Sequence, residues 1–372
     1  MAGVIETVPE QPVRVTAAAA TRRTADRRGR NTPPGYRGGM TDPRAQTVGD
    51  LGERALLARI FAALSGSSRA LVGPGDDAAV LAAPDGRVVV STDTLVHGPD
   101  FRLAWSNGLD LGWKAAAVNL ADIAAMGARP TALVVALALP DETQAAFVDD
   151  LARGLRAACD ALAPGCAVEG GDLTASDTLT IAITVLGVLD GADPVLRSGA
   201  RAGDTVAVAG TLGAAARGLA LLFDRFRSAD GTPIPVDEAA LTAAERNDLR
   251  AQLRPAPPIA QGPAAAGGGA TAMMDVSDGL LLDARRMAEA SEVRIDLDPA
   301  LDEHALRGGE DHALLACFPP GIALPAGFRP IGRVLARAAD APDRDGFVTV
   351  GGAPVTGRGG WDPHRDWDAV RG

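Results

Sequence analysis

The sequence predicts an α/β (α+β) chain of two domains behind a disordered tail. Short apolar or β-branched segments alternate with helical segments along both halves of the chain, which is typical of mixed folds. Composition turns to Gly, Asp, Pro and Arg around Asp190–Gly203, where we expect the domain boundary. The predicted division is a tail over residues 1–46, a first domain over 47–192 and a second domain over 193–372.

The tail differs in composition from the remainder of the chain. Its first 45 residues carry eight arginines against four acidic residues, have no hydrophobic period and are interrupted by Pro and Gly. Such a segment is expected to be disordered. It lacks the apolar core of a signal peptide. We expect it to be either dispensable or a transit peptide, and Met40 is a candidate start of the native chain.

In the first domain the predicted order is helix, strand, helix, strand, helix and two strands. Asp50 and Asp141 are expected to cap the first and third helices. The hydrophobic spacing predicts the second helix from Leu109 to Met126. Asn119 and Asp122 are three residues apart and therefore neighbours on its surface. The predicted strands are RVVVSTDTLV, ALVVALALP, CAVEGGDLT and TLTIAITVLGVL.

The second domain repeats the alternation. A strand (DTVAVAG) and a helix (TLGAAARGLALLF) are followed by a polar helix near Ala239–Leu253. AMMDVSDGLLLDARRMAEAS then predicts a strand that runs directly into a helix, and RIDLD a short strand. A Gly-Gly-Glu-Asp turn precedes the strand HALLACF, and strands and turns are expected after Phe328.

Charge and residue usage exclude several classes of function. The 372 residues carry a formal net charge of −11, which argues against a nucleic-acid partner. The three cysteines form no CxxC motif and the four histidines show no zinc spacing. No apolar run approaches the roughly 18 residues of a membrane span. We therefore expect a cytoplasmic protein with no membrane or nucleic-acid partner.

A strand edge followed by Gly and Asp recurs along the chain as GDD, STD, GGD, DVSDG and GGED. Any one of these is more typical of a turn than of a site. Two carboxylates about 5 Å apart repel by roughly 3 kcal/mol at an effective dielectric near 20. Several in one cleft would therefore need a cation, and their oxygens select hard ions such as Mg²⁺.

Magnesium held by carboxylates commonly binds substrate phosphates as well, which favours phosphoryl transfer. The motifs GxxxxGK[ST] and HRDxxxxN are absent from the sequence, so an ATP-using enzyme would belong to another class. Ser277 and Asp278 are expected to cap a helix, with or without a ligand at that helix end. Lys114, the only lysine, could contact a phosphate or form an ion pair. His97, His304 and His312 are expected at the surface or with internal hydrogen bonds.

These motifs together resemble the thiamine-monophosphate kinase family. GPGDDAAVL, STDTLV, KAAAVNLADIAAMGARP, EGGDLT, RSGARAGD, DVSDGL and GGED follow the order of that family from about Thr47 to His364. The resemblance implies ATP-dependent phosphorylation of thiamine monophosphate to thiamine diphosphate with several Mg²⁺ ions. It also implies the two-domain fold of aminoimidazole ribonucleotide synthetase, with N-terminal domains paired in a homodimer and the nucleotide near that interface.

The resemblance also implies roles for individual residues. Around the metals it places Asp77, Ser91, Thr92, Asp93, Asp122, Asp172, Asp275 and Asp278. As nucleotide contacts it implies Gly171, Asp172, Arg197 and Ser277. Glu310 and Trp361 would contact the thiamine moiety, since an indole face attracts cations.

One substrate position departs from the family pattern. Asp100 stands where the family has a substrate-contacting His, and His97 lies three residues earlier. Either His97 reaches the site from a shifted loop, or Asp100 takes a different role. The C-terminal GGWDPH also has one residue more than the family's usual pattern.

The implied chemistry needs no general base. The nucleophile would be a phosphate oxygen that is already mostly dianionic at about pH 7, so we expect direct in-line transfer without a phosphoenzyme. One alternative is a sister enzyme of the same superfamily with another substrate. The other alternative is a protein that binds nucleotide or thiamine phosphate without turnover.

Overall fold

Two β-sheets and the helices between and beside them make up the described part of the chain. The computed structural model describes residues 46–51, 53–71, 81–337, 346–357 and 359–361, all within one compact unit from Asp42 to Gly372. The helices are α1 (Val48–Leu51), α2 (Glu53–Leu64), α3 (Gly108–Ala125), α4 (Ala145–Leu162), α5 (Ala214–Arg225), α6 (Ala243–Leu253), α7 (Gln261–Gly267), α8 (Leu280–Ala290) and α9 (Glu303–Arg307). The strands are β1 (Val89–Val96), β2 (Arg129–Leu139), β3 (Ala167–Ala175), β4 (Thr180–Val188), β5 (Thr205–Ala209), β6 (Ala272–Val276), β7 (Val293–Leu297), β8 (Ala313–Phe318), β9 (Phe328–Ala336), β10 (Val348–Val350) and β11 (Ala353–Pro354).

The first sheet has four strands in the order β1-β4-β2-β3. Strands β1 and β2 run antiparallel to β4, and β3 runs parallel to β2. Buried and partly exposed residues alternate along β4, as expected for a sheet that packs on one face only. The packed face holds Ile181, Ile183 and Val185 against the main core.

Helix α3 packs against strands of both sheets. Fifteen of its eighteen residues are buried, as expected for a helix that lies inside a protein. Asn107 caps it in a reciprocal pair with Asp110. A Cβ atom at Gly112 would lie 2.0 Å from the carbonyl oxygen of Leu151 on α4, so glycine is required where these two helices meet. The helix predicted at Leu109–Met126 is confirmed within one residue at each end.

The second sheet has seven strands in the order β11-β10-β7-β9-β5-β8-β6. Its edge strand β6 pairs antiparallel with β8, so that Asp275 lies opposite Leu314. The end of β6 leads to α8, and the Gly-Gly-Glu-Asp turn leads into β8. Residues on both sides of this junction therefore lie at one corner of the sheet.

One apolar core connects the two sheets. It contains Leu120 and Ile123 of α3, Ile183 of β4, and Met273 and Leu314 of the second sheet. The mixed α/β fold is confirmed. The domain boundary at residue 192 remains a prediction. It falls between the last strand of the first sheet, which ends at Val188, and the first strand of the second sheet, which begins at Thr205. Nearly all of the predicted tail, 1–46, lies outside the described residues.

Local signals at helix ends were less accurate. Asp50, expected to cap the helix that became α2, lies instead inside the short helix α1, where its N–H donates to the Thr47 hydroxyl at 3.2 Å. Helix α4 follows Gln144 rather than Asp141. The polar helix expected from Ala239 begins at Ala243, capped by Thr242. Among the described residues, no helix is long and apolar enough to cross a membrane.

Candidate functional site

The first half of the site lies where β1 packs on α3. Ser91 Oγ donates to Asp122 Oδ2 at 2.6 Å. The Asp93 N–H donates to Asn119 Oδ1 at 3.1 Å, and Asn119 Nδ2 donates to the carbonyl of Ala115 at 2.9 Å. Because Ser91 and Asp93 are two apart on a strand, both side chains face the helix. The predicted neighbours Asn119 and Asp122 are therefore both used to fix β1 against α3.

The second half of the site is a buried pair at the corner of the second sheet. His312 Nδ1 lies 3.0 Å from Asp275 Oδ2, and both residues are buried. Burial acts to lower the pKa of His312, but the hydrogen bond and charge of Asp275, with the charge of Glu310, outweigh it and raise the pKa. The Asp275 carboxylate therefore stabilises the protonated form of His312. The sequence had suggested only a surface or internally bonded histidine; its place directly after the GGED turn was the available signal.

The two halves meet because α3, which carries Asp122, packs against both β1 and β6. Burial raises the pKa of Asp122 to about 6, and the charges of Asp275 and Asp93 add to the effect against the Ser91 hydrogen bond. Asp93 has an exposed fraction typical of surface residues, yet partial desolvation raises its pKa, helped by Asp275 and Asp278. We call Asp93, Asp122, Asp275 and Asp278 the carboxylate cluster.

The shape of the loop before α8 depends on a buried carboxylate that sequence reasoning missed. Asp283 is fully buried, and its Oδ2 accepts from the N–H groups of Asp278 and Gly279, both at 3.1 Å. Arg286 Nη1 donates at 2.7 Å to Asp283 Oδ1 and at 2.7 Å to Asp278 Oδ2. Gly279, at φ 131°, precedes the helix and provides no side-chain cap. The expected cap from Ser277 and Asp278 is replaced by Asp283, one turn into the helix.

The oxygens of the carboxylate cluster suit a metal ion in type, but they do not surround one. These oxygens are the hard donors that Mg²⁺ prefers. A cation would stabilise the ionised form of Asp122, which burial and, to a smaller extent, the charges of Asp275 and Asp93 disfavour. Within the described residues, however, no three His, Cys, Asp or Glu side chains converge closely enough to hold an ion. Asp77 lies outside those residues. The cluster therefore fits an ion that is held by one or two carboxylates and completed by ligand phosphates.

A cavity of about 750 Å³ opens beside the cluster. Its lining includes Asp100, Lys114, Ser277, Glu310 and Trp361. The size and the mixture of aromatic and charged lining are typical of a small-molecule site. The cavity brings together all three residues expected at the substrate, and it adds Lys114.

The loop after β1 presents Asp100, rather than His97, to this cavity. Asp100 Oδ2 accepts from the Val96 N–H at 2.7 Å, which fixes the loop. Burial raises the pKa of Asp100, and the nearby charge of Glu310 raises it further against the backbone hydrogen bond. His97 lines a neighbouring cavity and tilts against Phe101, with ring centroids 5.6 Å apart.

Three other residues expected at the site lie away from the carboxylate cluster. Thr92 Oγ1 donates to the carbonyl of Ile183 at 2.8 Å and lies on the sheet face opposite Ser91 and Asp93. Leu173 packs against the core, so Asp172 faces that same open side. Asp172 and the exposed Gly171 lie on β3, three strands from β1, or about 14 Å at the usual strand spacing.

The remaining nucleotide candidates differ in position. Arg197 is exposed in the segment between β4 and β5, where its carbonyl accepts from Ser291 Oγ at 3.0 Å. Ser277 lines the 750 Å³ cavity beside the cluster. Because successive side chains of a strand point to opposite faces of the sheet, the sequence alone could have shown that Thr92 and Asp93 face opposite sides. The position of Asp172 required the strand order.

The chain is similar to proteins of known function. Residues 75–189 match the family model described as "AIR synthase related protein, N-terminal domain". The chain is 45% identical to a thiamine-monophosphate kinase of Mycobacterium tuberculosis, over 85% of this chain and 92% of the relative. It is 38% identical to the thiamine-monophosphate kinase of Escherichia coli K12, over 72% of this chain and 82% of the relative.

Solved structures share the fold. A thiamine-monophosphate kinase from Stenotrophomonas maltophilia K279a superposes with a TM-score of 0.66 at 31% identity, covering 82% of this chain and 98% of the other. A structure described as AaThiL complexed with AMPPCP and TMP has a TM-score of 0.61 at 29% identity, covering 83% and 96%. The similarity therefore spans both sheets.

Proposed function

Because the chain belongs to the thiamine-monophosphate kinase family, we propose that it phosphorylates thiamine monophosphate with ATP, yielding thiamine diphosphate and ADP. One observation of the molecule carries this proposal. Carboxylates from the two sheets meet as a cluster beside a cavity of about 750 Å³ that Glu310 and Trp361 line. The cluster suits a metal–phosphate group, and the cavity suits an aromatic, cationic organic group.

The bound phosphates would be accompanied by several Mg²⁺ ions. The oxygen donors proposed for them are Asp77, Ser91, Thr92, Asp93, Asp122, Asp172, Asp275 and Asp278. Of these, Thr92 and Asp172 lie on the open face of the first sheet, so they would serve ions other than those at the cluster. When bound, such ions neutralise the charge of two polyanions and orient their oxygens. The partly buried carboxyl of Asp122 supports this assignment, because burial and the charges of Asp275 and Asp93 raise its pKa.

The protein itself would supply position rather than proton transfer. The attacking group is a phosphate oxygen with a second pKa near 6, so it is mostly deprotonated at about pH 7 and needs no base. Transfer is direct and in line. Gly171, Asp172, Arg197 and Ser277 are proposed to bind the nucleotide, and the exposed guanidinium of Arg197 would approach its phosphates.

The organic end of the substrate is assigned to the cavity wall. Trp361 is 43% exposed, and its main-chain N–H donates to the Asp278 carbonyl at 3.0 Å. Its indole is therefore available to the positively charged thiazolium ring, next to the cluster. Glu310 and Asp100 add negative charge on the same wall. Asp100 is a carboxylate at the position where the family has a histidine.

We also propose a cytoplasmic homodimer without nucleic-acid or membrane partners. The open face of the first sheet supports the dimer, because Val90 and Val134 on it are 63% and 38% exposed. Apolar side chains on a sheet face are typical of an interface. Pairing through this face would enclose Thr92 and Asp172 between two copies of the chain. Light scattering after size-exclusion chromatography tests the dimer, and a monomer at micromolar concentration would refute it.

The activity is tested by incubating the protein with ATP, Mg²⁺ and thiamine monophosphate. We expect thiamine diphosphate and ADP in equal amounts. Asp93→Asn is expected to reduce turnover by at least about 100-fold while circular dichroism remains unchanged. Near-normal turnover of Asp93→Asn would contradict the metal assignment, and a stable phosphoprotein from labelled ATP would contradict direct transfer.

A further inference from the structure

Lys114 is buried in the wall of the cavity, on the first half of α3. Its side chain is 5% exposed, although a lysine normally keeps its ammonium group in water. Burying an ammonium group is unfavourable unless acceptors inside the protein replace the lost water. The partners of Lys114 therefore decide what this residue can do.

The protein provides an acceptor for each of the three N–H donors of the ammonium group. One is Glu310 Oε2, in an ion pair. The second is the main-chain carbonyl of Gln252 at 3.3 Å. The third is the Gln252 side-chain oxygen at 3.2 Å, once the amide is turned so that its nitrogen donates to the Ala215 carbonyl at 3.0 Å. With all three donors engaged, a direct contact between Lys114 and a phosphate would require one of these bonds to break.

The ion pair holds Glu310 in an unusual position. The Glu310 backbone has φ 70° and His312, two residues on, has φ 50°, a left-handed conformation that is unfavourable for residues other than glycine. Such a turn persists only where surrounding contacts hold it. The main-chain N–H groups of Glu310 and His312 donate to the carbonyls of Ser277 and Val276 at 2.8 and 3.1 Å and hold the backbone. Lys114 holds the Glu310 side chain from α3, across the junction between the two sheets.

The ion pair also divides the carboxylate of Glu310 between two tasks. Oε2 has no accessible surface, whereas the side chain as a whole is 40% exposed to the cavity. Burial acts to raise the pKa of Glu310, but the charges of Lys114 and His312 outweigh it and lower the pKa. The group is therefore an anchored anion, with one oxygen fixed and the other left for a ligand.

We propose that Lys114 is a positioning residue, which fixes Glu310 in the cavity wall so that its free carboxylate oxygen meets the cationic ring end of the substrate. This inference rests on the proposed function, and it assigns Lys114 to the ring end of the site rather than to the phosphate end. Loss of Lys114 should therefore weaken binding of thiamine monophosphate and leave binding of ATP unchanged.

The test compares Lys114→Met, Glu310→Gln and the double variant by steady-state kinetics in both substrates. We expect Lys114→Met to raise KM for thiamine monophosphate at least tenfold, with KM for ATP within twofold of the wild type. In the Glu310→Gln background, Lys114→Met should add less than twofold, because contacts that act as a unit are not additive. The double variant removes both charges of the pair, so it can be assayed even if Lys114→Met alone does not fold.

The matched control is Trp113→Phe, on the same helix. Trp113 Nε1 donates to the Pro255 carbonyl at 2.7 Å, so this variant removes a neighbouring contact between α3 and the segment after α6 without affecting Glu310. We expect both KM values to stay within twofold. Two results would overturn the proposal. One is a raised KM for ATP in Lys114→Met, and the other is an effect of Lys114→Met on KM for thiamine monophosphate that persists in full in the Glu310→Gln background. A wild-type protein without turnover would instead overturn the proposed function.

Discussion

The carboxylate of Asp122 should destabilise the metal-free protein. Burial, with the charges of Asp275 and Asp93, raises its pKa from 3.8 to about 6 in the folded state. Each pKa unit corresponds to about 1.4 kcal/mol, so ionised Asp122 costs up to about 3 kcal/mol of folding free energy. Asn has nearly the same shape and retains an oxygen that can accept from Ser91. We therefore expect Asp122→Asn to be more stable than the wild type while losing activity.

The pH dependence has a definite sign. Because the folded-state pKa is raised, the carboxyl group is protonated in both states below 3.8 and ionised in both above about 6. The cost of Asp122 is therefore absent at the acidic end, grows between these two values and is complete above them. The gain in Asp122→Asn should be near zero at pH 4 and reach up to about 3 kcal/mol at pH 8.

Urea unfolding with a chelator present measures this gain, and adding Mg²⁺ provides a second comparison. A cation bound to the folded state stabilises only the protein that binds it, so Mg²⁺ should narrow the difference between wild type and variant. The control is Asp160→Asn on α4, an exposed residue 3.5 Å from Arg156, where a change within about 0.5 kcal/mol is expected. If Asp122→Asn is no more stable than the wild type at pH 8 without divalent ions, the assignment of Asp122 as a strained, cation-seeking carboxylate is wrong.

Two further substitutions test the packing and the cavity. Gly112→Ala should cost about 2 kcal/mol or more, because its Cβ atom would lie 2.0 Å from the Leu151 carbonyl oxygen; thermal unfolding measures this, and Gly267→Ala, with no atom within 4 Å of its Cβ, should be neutral or slightly stabilising. Trp361→Ala should change stability by less than about 0.5 kcal/mol yet raise KM for thiamine monophosphate about tenfold, as expected for loss of a cation–π contact; an unchanged KM would remove Trp361 from the substrate site.

Elements with a strong periodic pattern could be predicted from the sequence, and their ends could not. The apolar stripe of α3 is long and regular, so its limits were predicted within one residue. At α1 and α4 the sequence offers several residues that can cap a helix within a few positions. Which one does so depends on how the two segments meet, since the Gly49 N–H donates to the Asp141 carbonyl at 2.9 Å. Such contacts between distant segments leave no local signal.

The candidate site shows the same difference between what local sequence predicts and what depends on contacts between distant segments. The resemblance to the kinase family predicted that Asp93, Asp122 and Asp275 belong together, and the charges of Asp93 and Asp275 both act on the pKa of Asp122. It did not predict the partners that hold the site in place, His312 for Asp275 and Asp283 for the loop before α8. These partners become adjacent only when strands pair or a loop folds back on a helix. Sequence reasoning therefore proposed groups that would contact a ligand and missed the side chains that hold those groups in place.

Helix α3 explains how the two ends of the site stay in register. Lys114 and Asp122 are eight residues apart on it, which is about 12 Å along the helix axis. Lys114 anchors Glu310 at the ring end, and Asp122 belongs to the cluster at the phosphate end. A buried helix is far stiffer than the loops that it holds, so the separation between the two ends is set by the helix itself. It follows that Gly112→Ala, which disturbs the packing of α3 on α4, should raise KM for both ATP and thiamine monophosphate. Removing Lys114 should raise KM for thiamine monophosphate only.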